Sequence, residues 1–187
     1  MRHVRRLLAV ASLAAAAACG APPAADAAPR ALAVGERLPE LVVRRVTPDG
    51  ARATDSLRLA PGQPMLVALW ATWCAGCREE FAALERLHRE LGPRGLRVVA
   101  ISIDDGSDER VRRFVAGRHA TFTVGHDASG RVAEQLRLVG VPESFVVDRD
   151  GRVRWRHRGR LTFDDARGAV LPALGGGDGA HGVRRPE

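Results

Sequence analysis

An unbroken apolar run, Met65-Leu66-Val67-Ala68-Leu69, leads into Trp70-Ala71-Thr72-Trp73-Cys74-Ala75-Gly76-Cys77, and an amphipathic stretch from Arg78 to Leu91 leads out. Apolar residues without alternation predict a strand over Met65 to Ala71 that is buried on both faces, as in a sheet covered by helices. Phe81, Leu84, Leu87 and Leu91 recur at helical spacing and leave Arg78, Glu79, Glu85, Arg86 and Arg89 for solvent. The two cysteines therefore fall in the first turn of a helix that follows a buried strand. Unpaired backbone N–H groups and the macrodipole favour negative charge there. This placement favours the thiolate of Cys74 and makes it the nucleophile. Cys77, one turn on, can close a disulfide with it.

The rest of the chain supplies a sheet around that strand. Leu41-Val42-Val43 is the best part of a weakly strand-like stretch, Leu32 to Val46, and Thr47-Pro48-Asp49-Gly50 reads as a turn. Ala51 to Thr54 predicts a short returning strand and Asp55 to Ala60 a short helical turn. Gly92-Pro93 ends the cysteine helix, Gly at the position after the cap and Pro unable to continue it. Val98 to Ile103 is a second buried strand. Ser107-Asp108 offers an N-cap for a helix with Val111, Phe114 and Val115 inward. Thr121 to Val124 predicts a strand and Ser129 to Leu136 a helix. Ser144 to Asp148 is a strand that turns at Arg149-Asp150-Gly151. On its return Val153, Trp155 and His157 share one face and Arg152, Arg154, Arg156 and Arg158 the other. The arginine row reads as a solvated face in preference to a dock for an acidic partner. Thr162-Phe163-Asp164-Asp165 resembles a capping box opening a last helix. The order is a β-hairpin, then β-α-β-α-β-α, then a second hairpin and a helix, which makes a mixed sheet covered by helices.

The two ends read differently. Met1 to Arg6 is a positive segment and Leu7 to Ala18 an apolar one too short to span a membrane, so residues 1–18 read as an export signal. Ala16-Ala17-Ala18-Cys19-Gly20 resembles a bacterial lipobox, with Ala16 where Leu is usual. Cys19 is accordingly read as a lipidation site; cleavage after Ala25-Asp26-Ala27, which leaves a free protein, is the alternative. Residues 19–31 form an Ala- and Pro-rich tether, 32–174 the folded domain and 175–187 a Gly-rich disordered tail. With Cys19 set aside, one cysteine pair remains in an exported chain, which points to redox chemistry rather than a stapled scaffold. The basic balance comes entirely from Arg, since the chain has no Lys. Removing residues 1–18 takes three Arg and no acid, so +7 becomes +4. No groove-reading motif accompanies this charge, and nucleic acid is not read as a partner.

The Cys74-Ala75-Gly76-Cys77 segment has the signature of a thioredoxin-like redox site. Together with Gly140-Val141-Pro142-Glu143-Ser144-Phe145-Val146-Val147-Asp148 far downstream, it resembles the TlpA/ResA group of extracytoplasmic thiol–disulfide oxidoreductases and their relatives in cytochrome c maturation. The resemblance covers about Leu32 to Leu174. It implies a thioredoxin-like α/β fold with an N-terminal β-hairpin extension, tethered to a membrane and facing out of the cytoplasm. By the same resemblance Cys74 is the attacking and Cys77 the resolving cysteine of a redox-active disulfide. Pro142 matches the cis-proline that lies against that disulfide and presents the Val141 backbone to a substrate strand. Trp73 resembles the aromatic flanking the site, while Trp70 reads as core. Glu80 resembles an acid near the cysteines that takes and returns the proton of Cys77; a solvated helix residue is the equally open alternative. Glu143 matches a Pro-Glu-Thr variant that bears on partner choice; from the residues alone it reads as a loop surface charge.

Two departures stand out. Ala68 replaces the buried Asp of cytoplasmic thioredoxins, and Ala75-Gly76 replaces their Gly-Pro, a dipeptide that tunes the potential. The expected activity is reduction of protein disulfides, with apocytochrome c a candidate substrate and a membrane thiol donor restoring the dithiol. No dinucleotide motif is visible, and no cofactor is expected beyond the cysteine pair. A disulfide donor or isomerase would use the same residues. A peroxiredoxin-like peroxidase fits less well, because Ala71 stands where such enzymes carry Thr or Ser and Val67 where they carry Pro. A metal chaperone would need ligands that His88, His119 and His126 do not offer at suitable spacing.

Overall fold

The structure is a computed structural model of the chain and describes residues 31–47 and 52–175. Among the described residues seven strands and four α-helices follow in the expected order: β1 (Leu41–Val46), β2 (Arg52–Leu59), β3 (Met65–Trp70), α1 (Ala75–Leu91), β4 (Arg97–Ser102), α2 (Glu109–Ala116), β5 (Thr123–His126), α3 (Arg131–Gln135), β6 (Glu143–Val147), β7 (Val153–Arg158) and α4 (Phe163–Gly175). They form one sheet in the order β2-β1-β5-β4-β3-β6-β7. β3 pairs in parallel with β4 and antiparallel with β6, so it runs through the middle of the sheet. β4 and β5 are parallel; β1–β2, β1–β5 and β6–β7 are antiparallel.

The unbroken apolar run of β3 has a simple cause: its two faces feed two cores. Leu66, Ala68 and Trp70 point to one, with Phe81, Leu84, Leu87 and Leu91 of α1, Val111 and Val115 of α2 and Val170 of α4. Met65, Val67 and Leu69 point to the other, with Leu41, Leu57, Phe145 and Val132 of α3. Trp70 ends the strand against Phe81 and Phe114, at ring centroid distances of 4.7 and 5.0 Å. Each of the four large α1 side chains contributes roughly 1.5–3 kcal/mol by leaving water. That burial fixes the helix start at the end of β3.

Several local expectations need correction. Asp55 to Ala60 is not a helical turn: β2 runs on to Leu59, with Leu57 and Leu59 buried between exposed neighbours. Gly92 does not stop α1 in a left-handed conformation. It has φ −54° and enters a 3-10 turn, Gly92–Arg94, which Gly95 closes at φ +96°. α3 is shorter than expected and is held by Asp127, whose carboxylate accepts from the N–H groups of Val132 and Ala133 at 2.8 and 3.1 Å. Asp108 caps α2 by position only. Its carboxylate is buried and lies 3.5 Å from both Arg44 and Arg112. Thr162 does cap α4, its hydroxyl oxygen accepting from the Asp165 N–H at 3.2 Å. The turn at Pro48–Gly50, Cys19 with the segments assigned around it, and the tail beyond Gly175 lie outside the described residues. Among the described residues no helix is long and apolar enough to cross a membrane.

Candidate active site

The cysteines occupy the junction for which β3 and α1 are built. Cys74 is the N-cap of α1, with extended backbone at φ −85° and ψ 111°. Its sulfur accepts a hydrogen bond from the Cys77 N–H at 3.2 Å, one of the orphan donors of the helix start. The two sulfurs are bonded at 2.09 Å, with Cα atoms 5.3 Å apart. Their exposure differs: Cys74 is 8% accessible and Cys77 0%. Trp73, immediately before the pair, is 63% exposed, whereas Trp70 is core.

The β6 approach supplies the other wall. The Val141–Pro142 peptide is cis, and both residues are half-buried. A Cβ built on Gly76 would lie 3.8 Å from Cγ of Pro142 and 3.9 Å from Cβ of Arg160. The proline loop and the β7–α4 connection therefore pack directly on the residue between the two cysteines. The Pro142 carbonyl accepts from the Gly159 N–H at 2.9 Å, which ties the two loops together.

Both candidate acids are buried. Glu80, one turn beyond Cys77 on α1, is 1% exposed and accepts a hydrogen bond from the Leu161 N–H. Burial pushes its carboxyl up to about 7; the Leu161 N–H and the Arg160 charge act in the opposite direction. It is not a solvated residue of the Arg78-Glu79-Glu80 run. Glu143 corrects the reading as a loop surface charge: it is the first residue of β6, 1% exposed, and paired with Arg156 and with Arg158. Glu143 lies opposite Arg158 and Phe145 opposite Arg156, so acid and arginines share one face of the β6–β7 pair. The arginine row is therefore not simply solvated, since Arg154 also pairs with Asp148.

One residue escaped sequence reasoning. Asp104, buried just after β4, accepts from the Thr72 N–H at 2.9 Å, from the Thr72 hydroxyl at 2.5 Å and from the Ser102 hydroxyl at 2.7 Å. It holds the turn between Trp70 and Cys74. The only local hint is an acid directly after the apolar run Val98 to Ile103. Among the described residues no group of three or more His, Cys, Asp or Glu is arranged to hold a metal ion.

This geometry can exchange disulfides: a cysteine with some exposed surface at a helix start, a fully buried partner one turn on, and a buried carboxylic acid one further turn along the same helix. The chain is similar to known proteins over most of its length. The family model described as AhpC/TSA family matches residues 34–156. The thiol:disulfide interchange protein HelX of Rhodobacter capsulatus is 35% identical over 154 residues, covering 81% of this chain and 82% of HelX. The thiol-disulfide oxidoreductase ResA of Oceanobacillus iheyensis is 27% identical over 135 residues, covering 72% and 70%. Among solved structures, a thiol:disulfide interchange protein DsbE from Chlorobium tepidum superposes with a TM-score of 0.68 at 27% identity, over 76% of this chain and 99% of that one. The chain belongs to the AhpC/TSA family, has its thioredoxin-like fold, and is a thiol–disulfide oxidoreductase.

Proposed function

We propose that this chain reduces protein disulfides outside the cytoplasm, with Cys74 attacking and Cys77 resolving. The unequal burial of the two cysteines carries this reading, because Cys74 keeps some surface at the helix start and Cys77 keeps none. The Cys74 thiolate attacks one sulfur of a substrate disulfide. A Cys74–substrate bond forms, and the other substrate sulfur leaves as a thiolate and takes a proton. Cys77 then gives its proton to Glu80 and attacks Cys74. The second substrate thiolate is released, protonated from Glu80, and the protein is left as the disulfide. Two electrons have passed to the substrate. An acid that titrates at about 7 suits this exchange near neutral pH. The exposed Trp73 ring and the Val141 backbone ahead of Pro142 form the bed for the substrate strand, and Glu143 holds that bed from behind.

The resemblance to the TlpA/ResA group supplies the setting. Residues 1–18 direct export and Cys19 carries a lipid anchor. Residues 19–31 tether the domain 32–174 at the periplasmic or outer cell face. A membrane thiol donor returns the protein to the dithiol, and apocytochrome c, with two cysteines in one short motif, is the substrate class. No cofactor beyond the cysteine pair takes part. A Cys77→Ser protein is expected to accumulate a mixed disulfide with substrate through Cys74. A Cys74→Ser protein that retains full reductase activity contradicts the assignment.

A further inference from the structure

We propose that Asp104 is a positioning residue of the redox site: its buried carboxylate fixes the turn before Cys74 and, as a charge behind it, biases the Cys74–Cys77 pair toward the disulfide. The proposal rests on the reading of Cys74 as the attacking thiol. Asp104 lies beside the end of β3, where the Ile103 N–H donates to the Trp70 carbonyl at 2.9 Å. Three donors converge on its carboxylate: the Thr72 N–H, the Thr72 hydroxyl and the Ser102 hydroxyl. A carboxylate, an acceptor-only group, can take all three of these hydrogen bonds. Its backbone is fixed too. The Asp104 N–H donates to Ser102 Oγ at 3.1 Å, and the Asp104 carbonyl accepts from Nε2 of the buried His126 at 2.7 Å.

Thr72 is two residues from Cys74, so chain reach puts the carboxylate within about 14 Å of the reactive sulfur. The disulfide is uncharged and the reduced site carries a thiolate. A fixed negative charge therefore raises the free energy of the reduced form and makes the pair a stronger reductant. At that separation and an effective dielectric of about 20, the effect is about tenfold. Other charged or titratable side chains on the elements around the site include Arg78, Glu79 and Glu80 on α1, Glu143 and Arg158 beside the proline loop, Arg160 after β7, Asp105 next to Asp104, and His126, whose ring meets the Asp104 carbonyl.

The test is thiolate absorbance of Cys74 against pH in a Cys77→Ser background, with glutathione equilibration of the intact pair. Asp104→Asn keeps the shape and removes the charge. It is expected to raise the acid dissociation constant of Cys74 about tenfold and to move the pair about tenfold toward the dithiol, which is about 30 mV. Ser102→Ala keeps the charge and removes one donor, and is expected to make Cys74 less acidic. No shift with Asp104→Asn overturns the proposal. So does a shift in the same direction with both variants, since loosening the turn then explains both. If Cys74 in the otherwise unaltered site titrates no lower than an ordinary thiol, the nucleophile reading falls first and this proposal with it.

Discussion

Replacing Glu80 by Gln converts the buried acid into a measurable change in stability. Folding moves this carboxyl from 4.5 to about 7 through burial. The folded protein therefore binds more protons than the unfolded chain between those values, and stability falls as pH rises through that range. For one group this loss is about 2.5 kcal/mol between pH 5 and pH 8. Glu80→Gln has no charge to desolvate, and its amide carbonyl can still accept from the Leu161 N–H, at a cost of about 1 kcal/mol for the unpaired amide. The assay is urea denaturation of the oxidised protein at pH 5 and pH 8. Every other titratable group is present in both proteins and cancels in the difference. The variant is expected to lose less stability than the parent over this range, by roughly 1 M or more in urea midpoint. Parallel pH dependence in the two proteins would refute the burial of a proton-binding acid at this position.

Other predictions test the supports of the site. Glu143→Ala leaves Arg156 largely buried without its carboxylate, and is expected to cost about 3–5 kcal/mol by urea denaturation. Glu143→Leu combined with Arg156→Met removes both charges and is expected to cost much less. Gly151→Ala forces a side chain into φ +79° with its Cβ 2.8 Å from Cγ of Pro61, and is expected to lower the melting temperature by several degrees.

The parts of the molecule legible in the sequence are those set by local periodicity. The solid apolar run of β3 and the helical spacing after Cys77 place both cysteines at the junction, because strand and helix each declare themselves within a few residues. β2 is as legible: Leu57 and Leu59 alternate with Ser56 and Arg58, a period of two that outweighs a helical turn over the same residues. What stayed hidden depends on contacts between distant residues. Arg156 alternates outward along β7, and nothing in its own strand signals that Glu143, across the β6–β7 pair, turns that face into a buried ion pair. Asp104 looks like a loop residue until β3 and β4 come into register and bring Thr72 to its carboxylate. The burial of Glu80 depends on the β7–α4 connection folding over α1, a contact between residues 80 and 161.

The central claim is that this cysteine pair gives electrons away. Its most direct test is the reduction potential of Cys74–Cys77, read by thiol alkylation after equilibration in redox buffers. Reducing members of the wider fold lie near about −270 mV and strong oxidants near about −120 mV. A potential at or below about −250 mV is the predicted result. A value near about −150 mV would contradict it and make the same residues a disulfide donor or isomerase.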